Sequence, residues 1–132
     1  MKAIFASFAL LTGLTLAFPA SAQSAVSTYR NVKLLVPAAQ SRSGKVAMID
    51  GTLNLDPDSK NVLFVVKESV KKTIPYRNIS VLEFYMADHL LRIEYTNGSG
   101  EPAYVDMELP GGTQPELLKQ IQAQTGISIH LS

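Results

Sequence analysis

The residues that could take part in catalysis or bind a metal ion are few and poorly spaced. His89 and His130 are the only histidines of the 132-residue chain, which contains no cysteine. They lie far apart in the sequence and have no partners at the spacing of metal ligands. Asp88 precedes His89, but adjacency in sequence does not orient a catalytic dyad. We therefore predict no metal site, and a local hydrogen bond for His89 at the start of a strand.

Three carboxylates fall at alternating positions of two predicted strands, namely Glu94, Asp106 and Glu108. A glycosidase needs two carboxyl groups that face each other across a cleft, whereas these three lie along one sheet surface beside Arg92. We therefore predict an exposed ion pair between Arg92 and Asp106, worth a few tenths of a kcal/mol. No serine has a Gly-x-Ser-x-Gly setting, and no phosphate loop or dinucleotide fingerprint is present. The sequence predicts a protein that is not an enzyme and holds no cofactor.

Two groups of residues are candidates for an interaction surface. Lys67, Lys71 and Lys72 form a small basic patch that could meet an acidic lipid or an acidic partner, or could be a solvated connection. Tyr85 and Tyr104 are predicted to point outward, where an aromatic ring with a polar tip is a frequent contact residue. These five residues are the predicted interaction surface.

The first 22 residues have the layout of a cleavable secretory signal. Lys2 is followed by a mainly apolar run over residues 3–18, and Ala20-Ser21-Ala22 forms a site of small residues. The alternative is an uncleaved anchor, although the run is short for a membrane span of about 20 residues. We expect cleavage between Ala22 and Gln23 and a periplasmic or secreted location.

Cleavage would leave a formally neutral chain, because it removes one lysine from 12 Lys+Arg against 11 Asp+Glu. A neutral domain has no large basic field, which argues against nucleic acid and against a purely electrostatic attachment to membranes. Without cysteine the fold cannot rely on disulfides, so its apolar core must suffice.

Alternation of apolar and polar residues at period 2 predicts a series of short antiparallel strands. We place them at residues 29–37 (a possible short strand), 45–55, 62–67, 74–76, 79–86, 89–96 and 103–109. Gly51 predicts a bulge or a close passage under another backbone, Pro75 predicts an edge strand, and a change of phase at Val81–Leu82 predicts a bulge. The apolar run 62–67 favours a strand that is buried on both sides.

Turn and helix signals separate and end these strands. Residues 56–61 and 97–100 predict tight turns, and residues 68–72 predict a polar connection. A helix is predicted at about 113–126, with a capping box of Thr113 and Glu116 and Gly126 as its stop. We predict a signal peptide at 1–22, an N-terminal segment at 23–44 and one domain at 45–132. The domain is mainly β, a bent antiparallel barrel of about seven strands capped by the C-terminal helix.

Four stretches resemble small pleckstrin-homology-like (PH-like) domains of bacterial proteins. They are GTLNLDP at 51–57, IPYRNISVLEF at 74–84, HLLRIEY at 89–95 and LLKQIQAQTG at 117–126. The resemblance spans about residues 45–130 and implies a seven-stranded bent barrel that the C-terminal helix plugs. It also implies that lipid-binding relatives hold phosphoinositides in the loop between the first two strands. Here that loop is taken as DPDSKN at 56–61, whose two aspartates and one lysine predict no headgroup binding.

Because these motifs are structural, they do not define a function. We expect an exported, non-enzymatic module that binds an unknown protein or peptide in the envelope, through an edge strand near Ile74–Asn78 or the outer face of the helix. The alternative is attachment to a membrane surface through Lys67, Lys71 and Lys72 with exposed apolar residues. A small hydrolase is a third possibility. The sequence identifies neither the ligand nor the oligomeric state.

Overall fold

The computed structural model describes residues 25–132, so the predicted signal peptide at 1–22 lies outside the described residues. The strands are β1 (Ser27–Val36), β2 (Ala47–Asp56), β3 (Asn61–Val66), β4 (Ser69–Pro75), β5 (Ile79–Tyr85), β6 (Leu90–Thr96), β7 (Pro102–Glu108) and β8 (Ile129–Leu131). One helix, α1 (Gln114–Thr125), separates β7 from β8, and short 3₁₀ turns occupy Ala38–Gln40 and Tyr76–Asn78. Over residues 25–132, no helix is both long and apolar enough to cross a membrane.

All eight strands form one sheet in the order β4-β3-β2-β1-β7-β6-β5-β8. Neighbouring strands are antiparallel except β5 and β8, which run parallel. The strand β1 joins two meanders, because it pairs along its length with β2 and, through Lys33–Glu108 and Leu34–Met107, with β7. The predicted mainly β fold with one C-terminal helix is confirmed.

The inner faces of the strands and one face of α1 enclose a single apolar core, in which no described polar or charged residue is buried. Leu117 and Ile121 of α1 are fully buried and pack against side chains from both meanders. The fully or almost fully buried strand residues include Val32, Leu53, Leu55, Val62, Phe64, Ile74, Leu82, Leu91, Ile93 and Met107. The helix therefore closes the sheet as predicted, since a sheet with one apolar face must be covered.

A bulge in β1 lies opposite Gly51. The β1–β2 register shifts between Tyr29 and Val32, and Asn31 adopts a left-handed φ of 62°, which asparagine tolerates better than most residues. The partner of Val32 across the ladder is Gly51.

Gly51 itself passes very close to its other neighbour, β3. A Cβ at this position would lie 2.6 Å from Phe64 Cζ and 2.6 Å from the Val65 carbonyl oxygen. The predicted close backbone approach is therefore present at Gly51, whereas the bulge lies opposite it, in β1, and not in β2 itself.

The predicted change of phase in β5 is a bulge as well. The β5–β6 register shifts between Ile79 and Val81, which leaves Ser80 exposed and buries Ile79, Leu82 and Phe84. The irregularity begins slightly before the predicted Val81–Leu82 position.

Two predictions about β3 and β4 were wrong. The run 62–67 is buried on one face only: Val62 and Phe64 are buried, whereas Leu63 and Val65 are partly exposed on the outer face, which nothing within residues 25–132 covers completely. The segment 68–72 is not a loop, since β4 begins at Ser69 after a two-residue turn. Lys67 and Glu68 form that turn with left-handed φ values of 48° and 68°, a conformation typical of tight hairpins.

The N-terminal strand is longer and more central than predicted. The segment that pattern alone assigned to residues 29–37 runs from Ser27 to Val36 and lies in the middle of the sheet. The strand β1 therefore belongs to the same sheet as the strands that follow residue 45. It follows that the loop between the first two strands is 37–46 and not 56–61, because 56–61 connects β2 to β3.

The ends of α1 agree with the sequence at one terminus only. Gly126 ends the helix with a left-handed φ of 76° as predicted. The capping box does not form, because the Thr113 hydroxyl donates to the Pro110 carbonyl (3.1 Å) instead of capping the helix. The tail after the helix is held in the sheet: β8 pairs with β5, and the Ser132 amide donates to the Phe84 carbonyl (2.9 Å).

Candidate interaction site

The outer face of β5, β6 and β7 brings together five polar or aromatic side chains. In the ladder, Glu83 of β5 is opposite Arg92 of β6, and Arg92 is opposite Asp106 of β7. Tyr85 and Tyr104 occupy the next outward positions on β5 and β7, since side chains on one face of a strand recur every second residue. We call these five residues the Arg92 patch.

Arg92 is held in place by a bidentate contact. Its Nε donates to Asp106 Oδ1 at 2.7 Å and its Nη2 donates to Asp106 Oδ2 at 2.9 Å. The pair is only partly exposed, since 31% of the Arg92 side chain and 13% of the Asp106 side chain are accessible. These hydrogen bonds raise the pKa of Arg92 above its ordinary value. The predicted ion pair is present, in the fork geometry that favours Arg over Lys.

The guanidinium group also lies against both tyrosine rings. Its Cζ is 4.4 Å from the centre of the Tyr104 ring and 5.6 Å from that of Tyr85, within the range of cation–π attraction. Tyr104 remains half exposed, at 51%. The two predicted outward tyrosines thus belong to one cluster, organised by an arginine between them.

Glu83 completes the patch on the β5 side. Its Oε1 accepts from the Tyr85 hydroxyl (3.0 Å) and its Oε2 accepts from the Ser132 hydroxyl (2.6 Å). The Ser132 bond and then the Tyr85 bond lower the pKa of Glu83, while the same Tyr85–Glu83 bond raises the pKa of Tyr85. Four of the five patch residues therefore have a hydrogen-bond partner, and Tyr104 contacts Arg92 through its ring.

The patch has the composition of a binding surface. Arginine and tyrosine are enriched among the residues that dominate the energy of protein–protein contacts. The two carboxylates already accept hydrogen bonds inside the patch, Glu83 from Tyr85 and Asp106 from Arg92. Residues 25–132 contain no group of three or more His, Asp or Glu side chains that could hold a metal ion.

The histidines lie outside this patch in different settings. Nδ1 of His89 is 2.8 Å from Gln114 Nε2, and the His89 carbonyl accepts from the Leu109 amide (2.9 Å). His89 is therefore hydrogen-bonded, but its partners lie 25 and 20 residues further along the chain, so the predicted local hydrogen bond is not what forms. His130 is exposed on β8.

The three predicted lysines are not part of the tyrosine cluster. Lys67 is in the β3–β4 turn and Lys71 and Lys72 are on β4, at one edge of the sheet. The tyrosines are on β5 and β7, in the other meander. The five predicted residues therefore divide into two separate surfaces.

Sequence reasoning treated Arg92 and Asp106 as an isolated pair and did not include them, or Glu83, in the interaction surface. The predicted order of three consecutive antiparallel strands could have identified these residues as neighbours. Three consecutive antiparallel strands place their outward positions side by side, so Glu83, Arg92 and Asp106 form a row once the registers are known.

Two concave regions lie elsewhere on the described surface. A shallow polar cleft of about 520 Å³ on β1, β2 and β3 is lined in part by Arg30, Asn54 and Lys67, and the buried Oδ1 of Asn54 has no hydrogen-bond partner there. A smaller groove of about 290 Å³ lies between α1 and β8, with Leu118 and Ile129 among its lining residues.

Comparison with known proteins identifies the fold. No protein-family model matches the chain, and no curated protein matches it in sequence. Among solved structures, the C-terminal phosphotyrosine interaction domain of mouse APBB2 is similar with a TM-score of 0.57 and 12% identity, over 89% of this chain and 95% of that one. A structure of the Spt16D Pob3N heterodimer is similar with a TM-score of 0.55 and 10% identity, over 82% of this chain. Our chain spans about half (54%) of that second chain.

These likenesses show the fold and nothing finer, because identity is far below the level at which function transfers. The fold is PH-like, as the four sequence stretches implied.

Proposed function

We propose that this protein is a non-enzymatic interaction module that binds a protein or peptide through the Arg92 patch. The observation that supports the proposal is that the side chains of this partly exposed patch hold one another in place. Arg92 is fixed by two hydrogen bonds to Asp106 and lies against the rings of Tyr85 and Tyr104. Side chains that are already fixed lose little conformational entropy on binding, which leaves more of the contact energy for affinity.

The similar structures are compatible with this proposal without establishing it. One is described as a heterodimer and the other as a phosphotyrosine interaction domain. Both descriptions refer to contacts with other polypeptides, and they belong to those proteins. The same fold can carry different functions, so the surface residues of this chain have to be tested directly.

Affinity capture with matched variants tests the patch. Tyr104→Ala removes the most exposed ring, and we expect it to abolish or strongly reduce the capture of proteins that the unchanged protein retains. Thr96→Ala, on the exposed end of β6, is the matched control and should capture the same proteins. Equal capture by the unchanged protein and the Tyr104→Ala variant would exclude the patch as the contact surface.

We further propose that the module acts outside the cytoplasm, most simply in a bacterial envelope. The support is the signal-like sequence of residues 1–22, with its small residues before Gln23. N-terminal sequencing of the protein recovered from its native cells is the test. A mature chain that begins at Gln23 is expected, and a chain that retains residues 1–22 contradicts cleavage.

A second candidate function is attachment to a membrane surface. The composition of the loop at residues 37–46 favours it. The loop between the first two described strands carries Arg42, Lys45 and Val46, and Met48 follows at the start of β2; Val46 and Met48 are 62% and 54% exposed. Apolar residues next to basic ones suit the boundary between lipid headgroups and acyl chains. Co-sedimentation with anionic vesicles that is lost in Val46→Asp supports this function, and no co-sedimentation excludes it.

A further inference from the structure

The charged residues of the chain are segregated along the fold, although their total is balanced. Residues 25–75, which include β1 to β4, contain eight Lys+Arg and four Asp+Glu, a formal charge of +4. Residues 76–132, which include β5 to β8 and α1, contain three Lys+Arg and seven Asp+Glu, a formal charge of −4. The two opposite charges cancel in the total, but one half of the sheet is basic and the other is acidic. The basic half can attract anionic partners.

The lysines at the end of the basic half are not neutralised within the described part of the chain. Residues 25–132 contain two ion pairs, Lys33–Asp50 at 2.9 Å and Arg92–Asp106 at 2.7 Å. Neither involves Lys67, Lys71 or Lys72. Glu68 is the only acidic residue on β3, β4 and their connecting turn.

These lysines lie on an open edge of the sheet. One side of β4 pairs with β3, and within residues 25–132 no strand pairs with its other side. An open edge offers backbone N–H and C=O groups that can accept another extended chain. Val70 lies on this edge and is 55% exposed, so an added strand would also find an apolar contact.

We propose that the edge of β4 binds an acidic, extended polypeptide segment as an added strand, with its carboxylates against Lys67, Lys71 and Lys72. The adjoining cleft on β1, β2 and β3 is lined by both basic (Arg30, Lys67) and acidic (Asp50, Glu68) residues, so the proposed site is confined to the β4 edge. This site is separate from the Arg92 patch. An experiment that excludes one of the two surfaces as a binding site therefore leaves the other unaffected.

Charge and backbone geometry select this occupant over two others. A second copy paired through its own β4 would bring lysines close to lysines, which is unfavourable across strands. A lipid headgroup would satisfy the lysines but would leave the edge N–H and C=O groups unused. An acidic polypeptide satisfies both.

A synthetic probe tests the proposal on the purified protein. The probe is a fluorescent octapeptide of sequence Val-Glu-Glu-Val-Glu-Glu-Val-Glu, because Lys71 and Lys72 are consecutive on β4 and face opposite sides of the sheet, so the carboxylates must be present on both faces. Its binding is followed by fluorescence anisotropy at low ionic strength. We expect saturable binding that Lys71→Glu combined with Lys72→Glu weakens about tenfold. Lys119→Glu, an exposed charge reversal on α1, is the matched control and should leave the affinity unchanged. Circular dichroism verifies that each variant is folded.

Two further measurements separate strand addition from simple charge attraction. A probe with N-methyl groups on every amide has no N–H group to donate along either of its edges, so it should bind at least tenfold more weakly. Slower amide hydrogen exchange at residues 69–74 of β4 on addition of the unmodified probe would support the site. Equal affinity of the methylated probe overturns the proposal. Preferential binding to phosphatidylglycerol vesicles through these lysines, or self-association that protects β4, also overturns it.

Discussion

Arg92 contacts three side chains from both neighbouring strands, whereas its sequence position predicts only one of them. The pairing with Asp106 follows from the register of the Asn97–Gly100 hairpin, which is a local signal. The contacts with Tyr85 and Tyr104 depend on rotamers and on the position of β5 beside β6, which no local pattern provides. This is why the two tyrosines were predicted as surface residues but not as members of one cluster.

A double-mutant cycle on Arg92→Met and Asp106→Asn measures the strength of the central contact. We expect a coupling energy of about 1 kcal/mol, at the upper end for an exposed pair, because the contact is bidentate and partly shielded. The measurement is the free energy of unfolding in urea for both single variants and the double variant. A coupling energy near zero would show that the pair does not order the patch.

Gly51 is a residue whose role the sequence did predict, since glycine within a strand pattern has few explanations. The structure identifies the cause, which is the approach of Phe64 and Val65 to within 2.6 Å of the position that a Cβ would occupy. A side chain there must displace an aromatic ring and a backbone carbonyl.

Replacing Gly51 by alanine should therefore lower the free energy of unfolding by about 1–3 kcal/mol through overpacking. Gly98→Ala is the control, because nothing lies within 4 Å of its added Cβ, and its effect should stay within about 0.5 kcal/mol. Urea denaturation of the two variants provides the comparison. Similar stabilities would mean that β2 and β3 can separate at Gly51 at little cost.

At the level of elements, alternation located most strands but not their boundaries or neighbours. The β1 bulge at Asn31 interrupts the alternation, so the pattern shows a short strand where ten residues are extended. The turn at Lys67–Glu68 lacks the glycine or asparagine that marks most tight hairpins, and 68–72 was therefore assigned to a loop. The pairing of β8 with β5 joins residues that are more than 40 positions apart, and no local sequence signal indicates it.

The attachment of β8 should depend on pH through Glu83. The folded-state pKa of Glu83 lies below the ordinary value of 4.5, mainly because its carboxylate accepts from the Ser132 hydroxyl. A lowered pKa stabilises the folded state above about pH 4.5, and this contribution is lost as the pH falls through the folded-state value. We expect the Ser132 amide to become more mobile in NMR relaxation between about pH 6 and pH 3.

Glu83→Gln is the control for this titration. The side-chain amide of glutamine still accepts a hydrogen bond but does not titrate in this range. Residue 83 should therefore no longer contribute to the pH dependence of the mobility of Ser132. If the unchanged protein and this variant show the same pH dependence, Glu83 does not hold the strand.

At the level of the whole molecule, sequence motifs were enough for the fold, whereas the composition concealed the distribution of charge. The PH-like fold follows from strand order and a terminal helix, both of which leave patterns in the chain. The net charge of residues 25–132 is zero, yet the two meanders carry opposite formal charges. Recognition surfaces arise from such arrangements across strands, so a single sequence indicates them only weakly.

Photo-cross-linking from position 104 tests the central claim most directly. A photoreactive phenylalanine analogue replaces Tyr104 in the protein expressed in its native cells, and the same analogue at Glu101, in the exposed β6–β7 turn, is the control. If the Arg92 patch is the contact surface, position 104 will yield a discrete protein adduct that position 101 does not. The absence of an adduct at position 104, or the same adducts at both positions, would contradict it.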